Sequence, residues 1–589
     1  MKKQKNVLFI VLDSITNDIL FNSVTSKQKA PFLNKIREKA ISGDKMYSEA
    51  PYTEAALKAL LGSVDTMDYN GYIEKFKDTY LVTEAFQDSG YKVISNAFFP
   101  NIYPSFSLKG ITTKKYAESF NINALWEYRL KYYREFYLKN DVTKEEKKML
   151  LDLLEDNLIN WIKYIEKIKS NDKETEFINN CVSKDNIDND LNNIKNEYNK
   201  FKRNKEVYLK NLMEEGTNHI LFSLKSYSSE DKLNNDEFRK YFIKQVNPVL
   251  KEIKQINFKY NFRNNKLPFK ELIGLIKSKR YSDFKGVLAG YKNSLFDKDI
   301  YERGLQNFDL FKSARSFKYI ANEFISDLNN IKSPWFAYLH LDDAHFPESF
   351  LSYDISDEQN LNNELNNIKE YIHNLPKNYK GPLAYDLSLL YCDSIIESIF
   401  NKLKELNILD DTYIVITADH GYSYSFCPPR KKVVLTYYNE NYNVPYIIYG
   451  KDIVPKKINE FRTTKDISAT MVDLVGIKKP KSFKGNSLLK DYKLDHVFIE
   501  YMGGGCPDIY RRPINLGVRT KNYLVAMDVY LYKDFKESNI KEVYDLIKDK
   551  YEQYNLVNKI DNNLIEYELS LIKKRYDELR KEYKCNGKS

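Results

Sequence analysis

Cysteine is scarce in this chain of 589 residues, and its five copies are scattered and odd in number. None forms a CxxC pair, so the sequence indicates neither a zinc knuckle nor a disulfide framework. We therefore expect a reducing compartment, namely the cytoplasm. The five are Cys181, Cys392, Cys427, Cys506 and Cys585.

Long apolar runs are also missing. No stretch approaches the roughly 18 apolar residues that a membrane-spanning helix needs, so we expect no integral membrane segment. The basic start, Met1–Lys5, followed by an apolar run, looks at first like a signal peptide. That run is short, is interrupted by Asp13 and precedes no small-residue cleavage site. We expect it to form a strand instead.

A strong excess of one charge is absent as well. The formal net charge of +10 is modest for this length. Such a charge fits an anionic substrate but is too weak to indicate nucleic-acid binding. Hydrophobic residues make up 42% of the chain, enough for a real core. The length permits one large α/β domain plus a second unit.

The most informative segment that is present is TYIVITADHG, residues 412–421. It predicts a short buried strand, Tyr413–Thr417, that carries Asp419 and His420 at its C-terminal end. Ligands of open α/β sheets bind at that end of the strands. One carboxylate and one imidazole suit a divalent cation. The alternative is an ordinary turn at the end of a strand.

Two N-terminal elements offer matching groups. The apolar run Asn6–Leu12 predicts a central strand of a parallel sheet, and it ends at Asp13. Residues 50–62 predict a loop that leads into a helix, with Thr53 at the helix start. The simplest interpretation of Thr53 is an N-cap that accepts a hydrogen bond from a backbone amide. A helix N-terminus also binds phosphate or sulfate well, so Thr53 is a candidate nucleophile too.

These elements, in this order, resemble the sulfatase family of the alkaline phosphatase superfamily. The likeness covers much of the chain rather than one motif. It implies an α/β fold, an alkaline-phosphatase-like sandwich with a central, mostly parallel sheet. The segments that carry it are Lys5–Asp13, Ala30–Ile36, Met46–Pro51, Pro334–Pro347, Thr412–Gly421, Asn443–Gly450, Thr464–Thr470, Val497–Glu500, Val518–Thr520 and Glu542–Leu556.

The departures from the family pattern are informative. Sulfatases carry a Cys or Ser nucleophile that becomes formylglycine and is followed by Pro and Arg, whereas this chain has Thr53 and lacks both. Ser14 stands where the family has a second aspartate. Residues 95–99 replace a Lys/His pair. A threonine nucleophile with few carboxylates is similar to the phosphoethanolamine and glycerophosphate transferases of the superfamily.

The resemblance implies one divalent metal ion bound by Asp13, Thr53, Asp419 and His420. Zn²⁺ or Mn²⁺ is favoured over Ca²⁺ or Mg²⁺ because one ligand is an imidazole. A cation there would acidify the Thr53 hydroxyl, which is otherwise a poor nucleophile. The strand at residues 334–347 looks like the one that carries the family's substrate-contacting histidine, here His345. The alternative for His345 is a partly buried histidine at the end of a strand.

The sequence thus predicts a metal-dependent hydrolase or transferase that acts on a phosphate or sulfate ester through a covalent Thr53 intermediate. Its expected partner is an anionic ester, in a glycan or a cell-envelope precursor, and no oligomeric state is predicted. One alternative is a sulfatase proper, with Thr53 as a tolerated substitute. Another is a degraded sulfatase fold that binds a glycan or a protein.

We predict three units along the chain. Residues 1–114 and 312–490 form the catalytic α/β domain, and residues 491–589 form a small C-terminal α+β subdomain. Residues 115–311, where the resemblance lapses, form a mainly helical insertion with one helix over Ile194–Leu212 and another over Asp236–Ile256. The insertion is either a lid over the site or a structural decoration or oligomer contact.

Overall fold

The computed structural model describes most of the chain outside the predicted insertion. The described residues are 4–69, 71–72, 79–97, 113–115, 184–215, 317–332, 334–341, 343–345, 358–376, 379, 382–422, 437–502, 512–550, 552 and 554–583, with single helical residues between 144 and 281. The predicted helix Asp236–Ile256 lies almost wholly outside them.

The strands fall into three sheets within the described residues. Their bounds are β1 Asn6–Leu12, β2 Ile41–Gly43, β3 Met46–Tyr47, β4 Lys92–Ala97, β5 Thr113–Lys115, β6 Trp335–Leu341, β7 Thr412–Ala418, β8 Asn443–Val444, β9 Tyr446–Tyr449, β10 Lys456–Ile458, β11 Arg462–Thr463, β12 His496–Tyr501, β13 Ile514–Thr520, β14 Tyr523–Val529 and β15 Asn539–Asp545. Among these strands, eight form a central sheet in the order β10-β2-β9-β7-β1-β6-β4-β5.

The central sheet is mostly parallel, and its middle strands are apolar on both faces, as strands of such sheets usually are. Strands β1, β6 and β7 are buried along their whole length, which is typical of strands with helices on both sides. Strand β1 pairs in parallel with β6 and with β7, and β4 pairs in parallel with β5 and β6. Only β9 runs antiparallel to its neighbours in the described part of this sheet.

The register brings three strand ends together. Val11 is level with His340 of β6, and Leu12 is level with Ala418 of β7. The residues that follow β1 and β7 therefore leave the sheet side by side at its C-terminal edge, where ligands of such sheets bind.

Helices cover the central sheet. Helix α7 packs against α9 as well as against β4 and β6. No helix of the described residues has the length and apolarity to span a bilayer. The helix bounds are α1 Ser26–Lys29, α2 Pro31–Arg37, α3 Thr53–Gly62, α4 Val82–Asp88, α5 Lys184–Arg203, α6 Lys205–Glu215, α7 Phe317–Leu328, α8 Glu358–His373, α9 Leu383–Glu405, α10 Asn439–Tyr442, α11 Lys465–Leu474 and α12 Glu566–Glu582.

The C-terminal part has a sheet of its own. Strands β12 to β15 follow one another in an antiparallel sheet, and α12 packs on β13 and β14. The helix buries Ile572, Tyr576 and Leu579 against that sheet. This arrangement is the α+β unit expected after residue 490, although the three domain boundaries stay a prediction.

One predicted helix of the insertion is wrong in its bounds. The expected helix Ile194–Leu212 is in fact two helices, α5 and α6, that meet at Asn204. The Asn204 side chain accepts a hydrogen bond from the backbone N–H of Val207 at 3.0 Å. Asparagine is a favourable N-cap, so it begins a new helix where the apolar periodicity alone predicts a continuous one.

Candidate metal and nucleophile site

Two carboxylates meet at the C-terminal edge of the central sheet. Asp13 follows β1, and its N–H donates to the carbonyl of Leu341 at 2.7 Å. Asp419 follows β7, and both side chains are fully buried. Ser14 lies between them: its hydroxyl donates to Asp13 Oδ1 at 2.6 Å and its N–H donates to Asp419 Oδ1 at 3.2 Å. The Ser14 backbone has a φ of 61°, a strained value for a residue other than glycine and one that is frequent at functional sites.

His420 turns its Nε2 atom toward both carboxylates. Its Nδ1 lies 2.7 Å from the carbonyl of Gly421, so Nδ1–H donates there, and in the neutral imidazole Nε2 carries the lone pair. Nε2 lies 3.6 Å from Asp13 Oδ1 and 3.5 Å from Asp419 Oδ2. The next residue must be glycine because a Cβ there would lie 1.9 Å from the carbonyl oxygen of Glu440.

Thr53 is the first residue of α3, and its side chain does not cap that helix. Its Oγ1 lies 3.2 Å from Asp13 Oδ2, to which it donates, and 3.3 Å from His420 Nε2. The N-cap interpretation is therefore wrong, because the hydroxyl points into the carboxylate–imidazole group. The four residues predicted to bind the metal ion do come together.

His340 was not predicted from the sequence, yet it belongs to the same group. Its Nε2 lies 3.6 Å from Asp13 Oδ2 and 4.0 Å from Asp419 Oδ2. Its Nδ1 lies 2.7 Å from the hydroxyl of Tyr338. One signal could have found it: His340 carries the single ionisable group, apart from a tyrosine, in the fully buried strand β6.

His345 lies beyond the end of β6 and is partly buried. It is close enough for its charge to act on Asp13. The predicted roles of His345 in protonating a leaving group or contacting substrate stay a prediction.

The charges of the site favour a cation. Burial raises the pKa of Asp13, but the nearby positive charges of His345 and His420 and a hydrogen bond from His340 hold it well below its usual range. Burial and the charge of Asp13 raise the pKa of Asp419. Burial lowers the pKa of His420, and the two carboxylates outweigh this and raise it. Two buried carboxylates this close thus need positive charge beside them.

The donor set fits a divalent metal ion. Asp13, His340 and Asp419 each offer one ligand atom, and these atoms lie within 4.8 Å of one another. Asp419 Oδ2 is buried and has no hydrogen-bond donor among the described residues. Ligand atoms that share a tetrahedral zinc ion lie about 3.4 Å apart, given bonds of about 2.1 Å. The separations of 3.5 and 3.6 Å around His420 Nε2 are close to that value.

A tyrosine from α9 holds the loop after β1 in place. The Tyr385 hydroxyl donates to the carbonyl of Ser14 at 2.7 Å and accepts from the N–H of Thr16 at 3.1 Å. Thr16 in turn donates to the carbonyl of Glu440 at 2.8 Å. Helix α9 thereby supports the strained residue beside both carboxylates.

Part of the chain matches a known protein family. Residues 257–477 match the sulfatase family model, a range that contains His340, His345, Asp419 and His420 but not Asp13 or Thr53. The match begins within the range predicted as the insertion. In one shorter alignment, the extracellular sulfatase SULF-1 homolog of Drosophila melanogaster is 36% identical over 98 residues, 16% of this chain and 9% of that protein.

A second relative, the delta 4,5-hexuronate-2-O-sulfatase of Bacteroides thetaiotaomicron, is 30% identical over 181 residues, 28% of this chain and 33% of that protein. The chain spans a third or less of the length of these two curated relatives. Among solved structures, the phosphonate monoester hydrolase of Agrobacterium radiobacter superposes with a TM-score of 0.52 at 13% identity, over 97% of this chain and 96% of that one.

The fold and the buried carboxylate–imidazole group define an α/β protein of the alkaline phosphatase type. Within that class, residues 257–477 of the chain match the sulfatase family. The fold class predicted from the sequence is therefore confirmed, and the partial match supports the predicted family. The roles of the individual site residues stay predictions.

Proposed function

We propose that this chain is an ester hydrolase or transferase that depends on one divalent cation and uses Thr53 as its nucleophile on a phosphate ester. The position of Thr53 Oγ1 carries the proposal, because the hydroxyl lies within 3.3 Å of both Asp13 Oδ2 and His420 Nε2. It also stands at the first residue of α3, where the helix dipole favours an anionic group.

Asp13, Asp419 and His420 would hold the cation. When bound, a divalent ion supplies Lewis acidity, which stabilises negative charge on the nucleophile and on the ester. Zn²⁺ or Mn²⁺ suits a mixed carboxylate and imidazole set better than Ca²⁺ does. Asp13 also accepts the hydrogen bond from Thr53 and so orients the hydroxyl toward a bound ester.

The proposed reaction has two steps. First, Thr53 Oγ1 attacks phosphorus, the bond from phosphorus to the leaving oxygen breaks, and one proton in net passes from Thr53 to the leaving alkoxide. His345 is the proposed donor to that alkoxide. Then water or an alcohol attacks the phosphothreonine, the Thr53 oxygen leaves, and it regains the proton that the attacking group loses.

A phosphate ester is favoured over a sulfate ester by the chemistry of Thr53. Sulfate transfer in sulfatases uses an aldehyde hydrate that expels sulfate by elimination, and a threonine cannot form one. A phosphothreonine needs no such route because phosphorus is open to direct attack. The names of the curated relatives support a sulfate ester as the second candidate. A glycan-linked ester remains part of the proposal, and the cytoplasmic location stays a prediction.

Turnover of model esters by Thr53 variants tests the function. We expect faster cleavage of an aryl phosphodiester than of an aryl sulfate, and a loss on the order of 10³-fold or more in Thr53→Ala. Thr53→Ser keeps a hydroxyl and serves as the matched control, with activity between the two. Mass spectrometry of quenched wild-type protein should find a phosphorylated adduct on the peptide that contains Thr53.

Other outcomes favour the alternatives. Efficient aryl sulfate cleavage that survives Thr53→Ala would overturn the threonine mechanism and support a sulfatase. A folded, metal-loaded protein that turns over neither ester would support a binding protein instead.

A further inference from the structure

We propose that His340 is a direct ligand of the cation, so that the site combines two carboxylates with two imidazoles. This inference rests on the proposed function, since it concerns the same ion. It adds a ligand that neither the sequence pattern nor the resemblance assigns, and it changes which metals the site should select.

The distances around His340 carry the inference. Its Nε2 lies 3.6 Å from Asp13 Oδ2 and 4.0 Å from Asp419 Oδ2. His420 Nε2 stands at 3.6 and 3.5 Å from oxygens of the same two carboxylates. Both imidazoles therefore face the same pair of acids, at separations that one shared ion can span with bonds of about 2.1 Å.

The burial of His340 and the two carboxylates argues against a purely structural role for His340. His340, Asp13 and Asp419 are all fully buried. Asp419 Oδ2, which lies 4.0 Å from His340 Nε2 and 3.5 Å from His420 Nε2, has no hydrogen-bond donor among the described residues. A buried carboxylate oxygen in that state is costly, and a bound cation would satisfy it.

The neighbour of His340 is compatible with the tautomer that metal binding requires. The Tyr338 hydroxyl lies 2.7 Å from His340 Nδ1. In the metal-bound state a cation would replace the Nε2 proton that otherwise faces Asp13, and the Tyr338 hydroxyl can then accept from Nδ1–H. Histidines that bind metals usually donate their other N–H in this way.

Two imidazoles change the expected metal preference. Imidazole suits Zn²⁺ and other transition metals, whereas Mg²⁺ and Ca²⁺ prefer oxygen ligands. Loss of His340 should therefore weaken Zn²⁺ and Co²⁺ binding much more than Mg²⁺ binding.

The test uses metal affinity rather than activity. Metal-free full-length protein is titrated with Zn²⁺ and Mg²⁺ against a competing chelator, and with Co²⁺ while its visible absorption is recorded. His340→Asn should weaken Zn²⁺ more than about 100-fold and shift the Co²⁺ spectrum, since even outer partners contribute about 10- to 100-fold. Tyr338→Phe, which removes only the positioning hydroxyl, should cause a smaller loss. The matched control is His373→Asn, an exposed histidine at the end of α8.

The outcomes separate this inference from the proposed function. Circular dichroism of the metal-free variants shows whether each is folded. Wild-type affinity and an unchanged Co²⁺ spectrum in folded His340→Asn would overturn the role of His340, while loss of the ion in Asp419→Asn would leave the metal-dependent function standing. If the wild-type protein binds no cation at all, the proposed function itself fails. Should His340→Asn not fold, the Co²⁺ spectrum of Tyr338→Phe decides, and an unchanged spectrum there overturns the inference.

Discussion

Asp419 and His420 are neighbours in the chain, yet their side chains converge on one point because each is held by a backbone contact. The N–H of His420 donates to Asp419 Oδ1 at 2.8 Å, and the imidazole is fixed through the carbonyl of Gly421. Asp419 Oδ2 is left to face the centre of the site. The strained backbone of Ser14 and the buried Asp419 Oδ2, which lacks a hydrogen-bond donor among the described residues, both reduce stability. Such features are typical of functional sites.

The single-residue prediction concerns this carboxylate. Asp419→Asn should lose bound Zn²⁺ or Mn²⁺ after dialysis, as should His420→Ala, because each removes a ligand. Elemental analysis of the purified variants measures the loss. Since burial and the charge of Asp13 raise the pKa of Asp419, its ionised form opposes folding. Metal-free Asp419→Asn should therefore unfold at an equal or higher urea concentration than the metal-free wild type.

The control for that variant is Asp410→Asn, which alters an exposed carboxylate paired with Lys451 at 2.5 Å. Exposed pairs of this kind contribute about 0–1 kcal/mol, so neither metal content nor stability should change much. Near-stoichiometric metal in both Asp419→Asn and His420→Ala would remove this site from consideration.

At the scale of elements, helix α2 depends on a carboxylate that comes from another helix. Asp393 of α9 accepts hydrogen bonds from the N–H groups of Phe32 at 2.9 Å and Leu33 at 2.7 Å. Pro31 occupies the first position of α2, and Leu33 and Ile36 are buried. The start of the helix is thus capped through tertiary structure, which no local sequence signal at Ala30 indicates.

We expect Asp393→Ala to destabilise the protein by roughly 1–3 kcal/mol, because two buried N–H groups lose their acceptor. Burial raises the pKa of Asp393 to about 7 from its ordinary value of 3.8. Because this carboxyl binds its proton more tightly in the folded state, its contribution to the free energy of unfolding is lost as the pH rises from about 4 through 7. Asp393→Asn cannot ionise, so relative to wild type it should gain stability between pH 5 and pH 8.

Urea unfolding at both pH values measures this difference. The exposed variant Asp410→Asn again provides the baseline. A stability difference between Asp393→Asn and wild type that is the same at pH 5 and pH 8 would contradict the shifted pKa, and an unchanged Asp393→Ala would contradict the capping role.

At the scale of the whole molecule, a buried ion-pair group connects the C-terminal helix α12 to the segment that precedes Thr53. Arg575 of α12 contacts Asp68 at 3.0 Å and pairs with Glu500 at the end of β12. Glu500 accepts from the N–H of Met67 at 3.1 Å, and its own N–H donates to the carbonyl of Glu49 at 2.7 Å. Glu49 stands four residues before Thr53, so this group connects α12 to the segment that leads to the proposed nucleophile.

Removing the arginine charge should be costly. Arg575 is 2% exposed, and Arg575→Met would leave the buried Glu500 carboxylate without its cation, at a cost of about 3–5 kcal/mol in unfolding free energy, while Asp68 keeps Lys484. Arg575→Lys should recover part of that loss. Arg580→Met, on the same helix but more exposed, is the matched control and should cost far less. Urea denaturation compares the four proteins, and equal stability of Arg575→Met and Arg580→Met would show that the group does not join the two parts.

The sequence by itself determined the main strands and most of the site. The apolar runs predicted β1 with the bounds that the structure has and β7 to within a residue at each end, because fully buried parallel strands need continuous apolar sequence. The strand expected at residues 334–347 is β6, which ends at Leu341. Asp13, Asp419 and His420 were found because a polar residue directly after such a strand stands at the ligand-binding edge. Thr53 was found as the residue that begins the next helix of the site.

Only the tertiary structure decided the rest. Whether Thr53 caps its helix or faces Asp13 depends on a contact across 40 residues. The position of His340 depends on the register of β6 against β1, because the register fixes which face of the sheet each side chain lies on. The need for glycine at residue 421 comes from the carbonyl of Glu440, which approaches it from another segment. Local pattern sets which segments form strands and helices, whereas long-range packing sets which side chains meet.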